Sequence, residues 1–133
     1  MNKPQSTACP CGGKDYAACC GRFIEGGVPA PAADLLMRSR YTAYVLRNEA
    51  YLKATWHATT RPAEPVAQDD DMKWLGLDVR RHVPNAEDGD RATVEFVARY
   101  KIGGRAHRLH EISRFVREDG KWFYVDGSFP EKT

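Results

Sequence analysis

The chain has 133 residues, with 20 Lys and Arg against 18 Asp and Glu and a formal net charge of +2. That balance gives no global electrostatic pull toward nucleic acid or an acidic membrane and leaves partner choice to local features. The length suits one domain with a small appendage, and no apolar run approaches the ~20 residues of a membrane span.

In chain order, the first feature is the cysteine segment. Cys9, Cys11, Cys19 and Cys20 are the only cysteines, and they fall within twelve residues in Cys9-Pro10-Cys11-Gly12-Gly13 and Cys19-Cys20-Gly21. Zn²⁺ takes four soft ligands in a closed tetrahedron, and thiolates supply the charge that makes such a site contribute to folding. A Cys-x-Cys turn curls two sulfurs around an ion, and the adjacent pair closes it from the other side, with Gly21 permitting the bend. Disulfides are the weaker alternative, since neither Cys9 and Cys11 nor Cys19 and Cys20 close a comfortable ring. A reactive thiol site beside Lys14 or Arg22 is a second alternative. Met1 to Thr7 lacks the apolar core of a secretory signal, so the expected location is the cytoplasm.

Gly26-Gly27-Val28-Pro29-Ala30-Pro31 reads as a connection, which divides the chain into a knuckle over 1–25 and a larger domain over 26–133. A helix follows, with Asp34 near its N-terminus. Leu36, Ala43 and Leu46 lie near one face, Met37, Tyr41 and Tyr44 on the adjoining one, and Arg38, Arg40 and Arg47 on the remainder. Glu49 to Trp56 reads as a shorter second helix, broken from the first near Asn48. Pro62 and Pro65 argue against regular structure, and Asp69-Asp70-Asp71 reads as a solvated cap or turn rather than a cation site.

From Lys73 the period changes to two. Leu75, Leu77, Val79 and Val83 alternate with Trp74, Asp78, Arg80 and His82. A second strand follows a turn at Pro84 to Asp90, and Gly103-Gly104 and Asp119-Gly120 mark two-residue hairpins. Those turns predict Ile102 opposite Arg105, Tyr100 opposite His107, Phe96 opposite Glu111, Phe115 opposite Tyr124 and Ser113 opposite Asp126. The expected architecture is α+β: two N-terminal helices on a strongly curved four-stranded antiparallel sheet, a cone with a hollow between helix and sheet, preceded by a small zinc knuckle of four cysteines.

The strings Leu36-Met37-Arg38-Ser39-Arg40-Tyr41-Thr42-Ala43-Tyr44-Val45, Trp74-Leu75-Gly76-Leu77, Val94-Glu95-Phe96-Val97-Ala98-Arg99-Tyr100 and Trp122 to Gly127 resemble the YchJ family of bacterial proteins. The likeness runs from Cys9 to about Pro130. It implies a SEC-C zinc motif joined to a nuclear-transport-factor-2-like cone, with Cys9, Cys11, Cys19 and Cys20 as metal ligands. Gly12 to Ala18 makes seven residues where the usual motif has eight, and Asp15, Ala17 and Ala18 stand where further basic residues are usual. In SecA the corresponding module engages the chaperone SecB and the ribosome.

The expected function is that of a non-enzymatic zinc protein whose knuckle mediates protein association and whose cone binds a small apolar ligand. The sheet could also pair with a second copy. Pocket candidates are Trp56, His57, Tyr100, His107, Glu111, Trp122, Tyr124 and Asp126. The alternatives are an enzyme acting on a small apolar substrate, with His107 or His57 as general base or acid and Glu111 and Asp126 orienting it or sharing protons, or a nucleic-acid or ribosome binder. For the last, residues 1–31 hold Lys3, Lys14 and Arg22 against Asp15 and Glu25, a thin basis for phosphate affinity.

Overall fold

The computed structural model describes residues 8–67, 71–85 and 87–130. Lys3, the start Met1 to Thr7, Asp69 and Asp70 of the aspartate run, and residues 131–133 lie outside the described residues.

A single 3₁₀ turn at Tyr16–Ala18 leads into α1 (Gly21–Ile24), followed by α2 (Ala33–Val45) and α3 (Glu49–Ala54). Asp34 occupies the first turn of α2, where its charge suits the helix dipole. The two helices part where Arg47 enters the left-handed region at φ 57°. Asn48 then caps α3 by accepting a hydrogen bond from the Tyr51 amide.

The described strands are β1 (Met72–Pro84), β2 (Arg91–Ile102), β3 (Arg105–Glu118) and β4 (Lys121–Ser128), which form one antiparallel sheet in sequence order. Gly103 and Gly104 have φ of 58° and 81°, and Asp119 and Gly120 have 53° and 78°. Both turns thus adopt the twist that matches flanking strands. Ile102 pairs with Arg105, Tyr100 with His107, Phe96 with Glu111 and Phe115 with Tyr124, as the turns predict.

Bulges break the simple alternation elsewhere. In β4 the register shifts between Arg114 and Phe115, so Ser113 faces Gly127 rather than Asp126, and Asp126 pairs with Arg114. Val125 is the extra residue. In β1, shifts flank Leu75 and Arg80. Trp74 and Leu77 therefore both pack on the core while Leu75 is half exposed, in place of the expected alternation. Extra residues on one strand bend it and increase its twist, which curls the sheet toward the helices.

A parallel bridge between Trp56 and Tyr124 ties the end of the helical layer to β4. One contiguous core runs from Cys9, Cys11, Cys20 and Phe23 through Leu36, Met37 and Tyr41 to Val94, Phe96, Phe115 and Trp122. The knuckle and the cone thus share their apolar interior.

Candidate metal centre and cone cavity

The knuckle is short, and its backbone sets its geometry. The Cys9 amide bonds the Gly13 carbonyl at 3.0 Å and the Gly12 amide bonds the Cys9 carbonyl at 2.9 Å, folding the Cys-x-Cys turn back on itself. The 3₁₀ turn, capped by Asp15, then returns Cys19 and Cys20 to the same point. The four sulfurs lie within 4.8 Å of one another, and Cys11 Sγ and Cys19 Sγ are 3.5 Å apart. A tetrahedron with Zn–S of about 2.3 Å needs sulfurs about 3.8 Å apart, so the donor set fits a tetrahedral thiophilic ion. A Cβ at Gly13 would stand 2.8 Å from Cys19 Sγ, so the loop closes on the sulfurs only because that residue is glycine.

All four cysteines are free thiols. The hydrogen bond from Cys20 above all holds the Cys11 thiol down at about 4, against the effect of its own burial. Burial, then hydrogen bonding to Cys11, pushes Cys19 up to about 11, and the Cys11 contact pushes Cys20 up as well. Thr42 Oγ1 donates to Cys20 Sγ at 3.2 Å and lies 3.7 Å from Cys9 Sγ, while Arg38 holds the Cys11 carbonyl at 3.3 Å. Helix α2 therefore supplies the outer contacts that orient the sulfurs.

The second feature is a cavity of about 550 Å³ between α2 and the inner face of the sheet. Met37, Arg40, Tyr41 and Tyr44 line it from α2, Trp74 from β1, and Phe96, Ala98, Leu109, Glu111, Ser113 and Tyr124 from β2 to β4. Tyr41 and Tyr44 pack on Trp74 with ring centroids 5.5 and 5.9 Å apart. Glu111 Oε2 accepts from Ser113 Oγ at 2.8 Å and from Tyr124 OH at 3.0 Å. Burial first, then Glu111, raises the Tyr124 phenol, so it remains the donor.

Arg40 is only 3% exposed. Its Nη1 donates to the Leu52 carbonyl at 2.9 Å and to Thr55 Oγ1 at 2.7 Å, and its guanidinium lies 4.9 and 4.6 Å from the Trp56 and Tyr124 ring centroids. Burial lowers its proton affinity. The grouping of Arg40 with Arg38 and Arg47 outside the two apolar faces is thus corrected: it is a buried cation held by oxygens of the α3 segment and two aromatic faces. Its spacing from Met37 and Tyr44 was the available signal, since those positions share a helical stripe.

Of the eight pocket candidates, the structure brings Glu111 and Tyr124 to the cavity. Trp56 stands behind Tyr124, edge to face at 5.0 Å. His57 pairs with Glu118 at 2.9 Å and Thr59 at 2.7 Å, away from the hollow. Tyr100 and His107 stack on each other at 5.2 Å toward the β2–β3 turn. Trp122 lines a separate hollow of about 270 Å³ beside Phe23 and the Gly27 to Ala30 connection. Asp126 pairs with Arg114 at 2.6 Å outside the cavity. Glu111 is held by its two hydroxyl donors, while Arg114 goes to Asp126 and Arg38 to the Cys11 carbonyl.

A thiol cluster seated on helices that cover a curled antiparallel sheet defines a small class, the cysteine-knuckle proteins of the NTF2-like fold. The family model described as YchJ, middle NTF2-like domain, matches residues 32–127. A UPF0225 protein of Chromobacterium violaceum is 54% identical over 129 residues, covering 94% of this chain and 95% of its own. A UPF0225 protein of Methylibium petroleiphilum is 56% identical over 119 residues, covering 90% and 86%. The solution structure of a SEC-C motif containing protein from Rhodopseudomonas palustris matches with TM-score 0.81 and 34% identity over 92% of this chain and 98% of that one. A crystal structure of a SEC-C motif containing protein from Psychrobacter arcticus matches with TM-score 0.78 and 25% identity, covering 96% and 85%. The chain belongs to the YchJ family. Among the described residues, no helix is long and apolar enough to cross a membrane.

Proposed function

We propose that this is a cytoplasmic, non-enzymatic ligand-binding protein in which zinc, held by Cys9, Cys11, Cys19 and Cys20, fixes the knuckle to the cone. The observation that carries the ligand role is the aromatic cavity of about 550 Å³ with a buried carboxylate in its lining. That volume falls within the range of small-molecule sites, whose walls are mainly apolar with a few placed polar groups. The zinc assignment is supported by the all-thiol donor set and its sulfur spacing. Four thiolates around one ion leave no open coordination position, so the metal's part is structural. The exposed Ala17 and Arg22 lie on the outward side of the knuckle, and we assign protein association to that side.

The test combines metal and ligand content. Protein purified without added metal is expected to contain about one zinc per chain, lost in a Cys19→Ser, Cys20→Ser variant. Its denatured extract, compared by mass spectrometry with that of Leu109→Trp, is expected to contain a small molecule that the cavity-filling variant lacks. A metal-free chain would sink the scaffold assignment. Identical extracts from both proteins would sink the ligand role.

A further inference from the structure

We infer that the cavity takes an uncharged aromatic molecule bearing one N–H or O–H group, which donates to Glu111 Oε1. The inference rests on the ligand-binding reading of the cavity and specifies what the cavity selects.

The donor requirement comes from Glu111. Its side chain lines the cavity while the residue is only 8% exposed, and Oε2 takes both hydroxyl donors, Ser113 and Tyr124. Oε1 receives no hydrogen bond among the described residues. Oε1 is not sealed from solvent, so a ligand that covers it without bringing a donor strips its hydration, and a bond to a charged acceptor is stronger than a neutral one. A ligand that brings a donor to that oxygen therefore gains where one without it leaves the acceptor unsatisfied.

Charge neutrality follows from Arg40. The floor of the cavity holds a buried cation and a buried anion, joined through Tyr124, whose hydroxyl bonds Glu111 and whose ring lies 4.6 Å from the Arg40 guanidinium, while the exposed Arg47, Asp71 and Lys73 stand at its rim. Arg40 Nη1 is already engaged by Leu52 and Thr55. A ligand that carries a charge of either sign down to this floor would add an unbalanced ion to a desolvated site, where such a charge is expensive.

The aromatic body follows from the wall. Tyr41, Tyr44 and Trp74 meet at tilted and edge-to-face angles, the arrangement into which a further ring inserts by edge or offset contact. The volume suits a molecule of two fused rings with room to spare.

The test is calorimetric titration of the full chain with 1-naphthol, its donor-free isostere 1-methylnaphthalene, and the charged analogues 1-naphthoate and 1-naphthylmethylammonium. Naphthol is expected to bind about 10- to 100-fold more tightly than methylnaphthalene, the range a hydrogen bond to a charged group supports, and more tightly than either ion. In Glu111→Gln, checked for an unchanged thermal transition, that preference should shrink to within about threefold. The wild-type comparison stands without any variant. Equal binding of naphthol and methylnaphthalene, both lost in Leu109→Trp, overturns the donor rule and leaves the cavity a ligand site. Tighter binding of either ion overturns the neutrality rule. Failure of all four probes overturns this inference, while the extract comparison decides the ligand role separately.

Discussion

The cysteine cluster and the cone cavity both take polar atoms out of water, yet they leave different remainders. In the knuckle the four sulfurs converge on one point, the Gly13 position leaves no room for a Cβ, and Thr42 seals the cluster from the helix side. In the cavity Glu111 has both hydroxyl donors on one oxygen and faces open volume. Convergence makes a site that fixes structure. An acceptor left over beside open volume is what the proposed ligand would meet, and the difference between the two regions lies in arrangement.

The largest expected effect breaks the fixing side. Cys19→Ser with Cys20→Ser should lower the melting temperature by on the order of 10 °C, because loss of a structural metal site removes several kcal/mol and each kcal/mol moves the transition by roughly 3–5 °C at this size. An unchanged transition measured by differential scanning calorimetry would show that the cluster does not hold the fold.

Arg40 sharpens the comparison next. Arg40→Ala leaves the Leu52 carbonyl and Thr55 hydroxyl without their donor and should cost about 3 kcal/mol in urea unfolding. Arg40→Met fills the space without burying a charge and should cost less than half as much. Equal losses would mean that packing alone accounts for Arg40.

A smaller effect isolates the approach of Glu111 to β4. A Cβ at position 127 would lie 2.6 Å from Glu111 Cδ. Gly127→Ala should therefore destabilise by about 1–3 kcal/mol, the usual cost of overpacking, and Glu111→Ala should recover most of that loss in a double-mutant cycle. Additive losses would place the strain elsewhere. The smallest effect is expected at Arg114 and Asp126, whose side chains are 58% and 43% exposed. Solvent screening leaves such a pair about 0.5 kcal/mol or less, and 1 M salt should erase it.

How much of this was legible depended on how local the cause was. The cysteine spacing and the Gly103-Gly104 and Asp119-Gly120 turns carry their geometry within a few residues, so the cluster and the pairings that run unbroken from those turns followed directly. Asp126 did not, because the bulge at Val125 breaks the register counted out from the turn, and no residue type in that segment marks it. Leu75 changed side at another such shift, between Trp74 and Gly76. Arg40 was placed with Arg38 and Arg47 on the remainder of the helix, although its spacing from Met37 and Tyr44 pointed inward. Tyr100 shares a face with Phe96, yet four residues of strand carry it roughly 13 Å further on, beyond the cavity. Alternation gives the face of a strand and says nothing of where along that face a hollow lies.

The parallel bridge at Trp56 has a bearing on the order of assembly. The four thiols are close in sequence, and the hairpins close through two residues at 103–104 and 119–120 and six at 85–90, so their loop-closure entropy is small. The His57 amide reaching the Tyr124 carbonyl and the Tyr124 amide reaching the Thr55 carbonyl, each at 2.8 Å, join segments separated by nearly the whole sheet. Such a contact has the highest entropic threshold and is expected to form after the hairpins. It then acts as the clasp of the cone, and hydrogen exchange at the His57 and Tyr124 amides, set against amides in the middle of β2, would time how often that clasp opens.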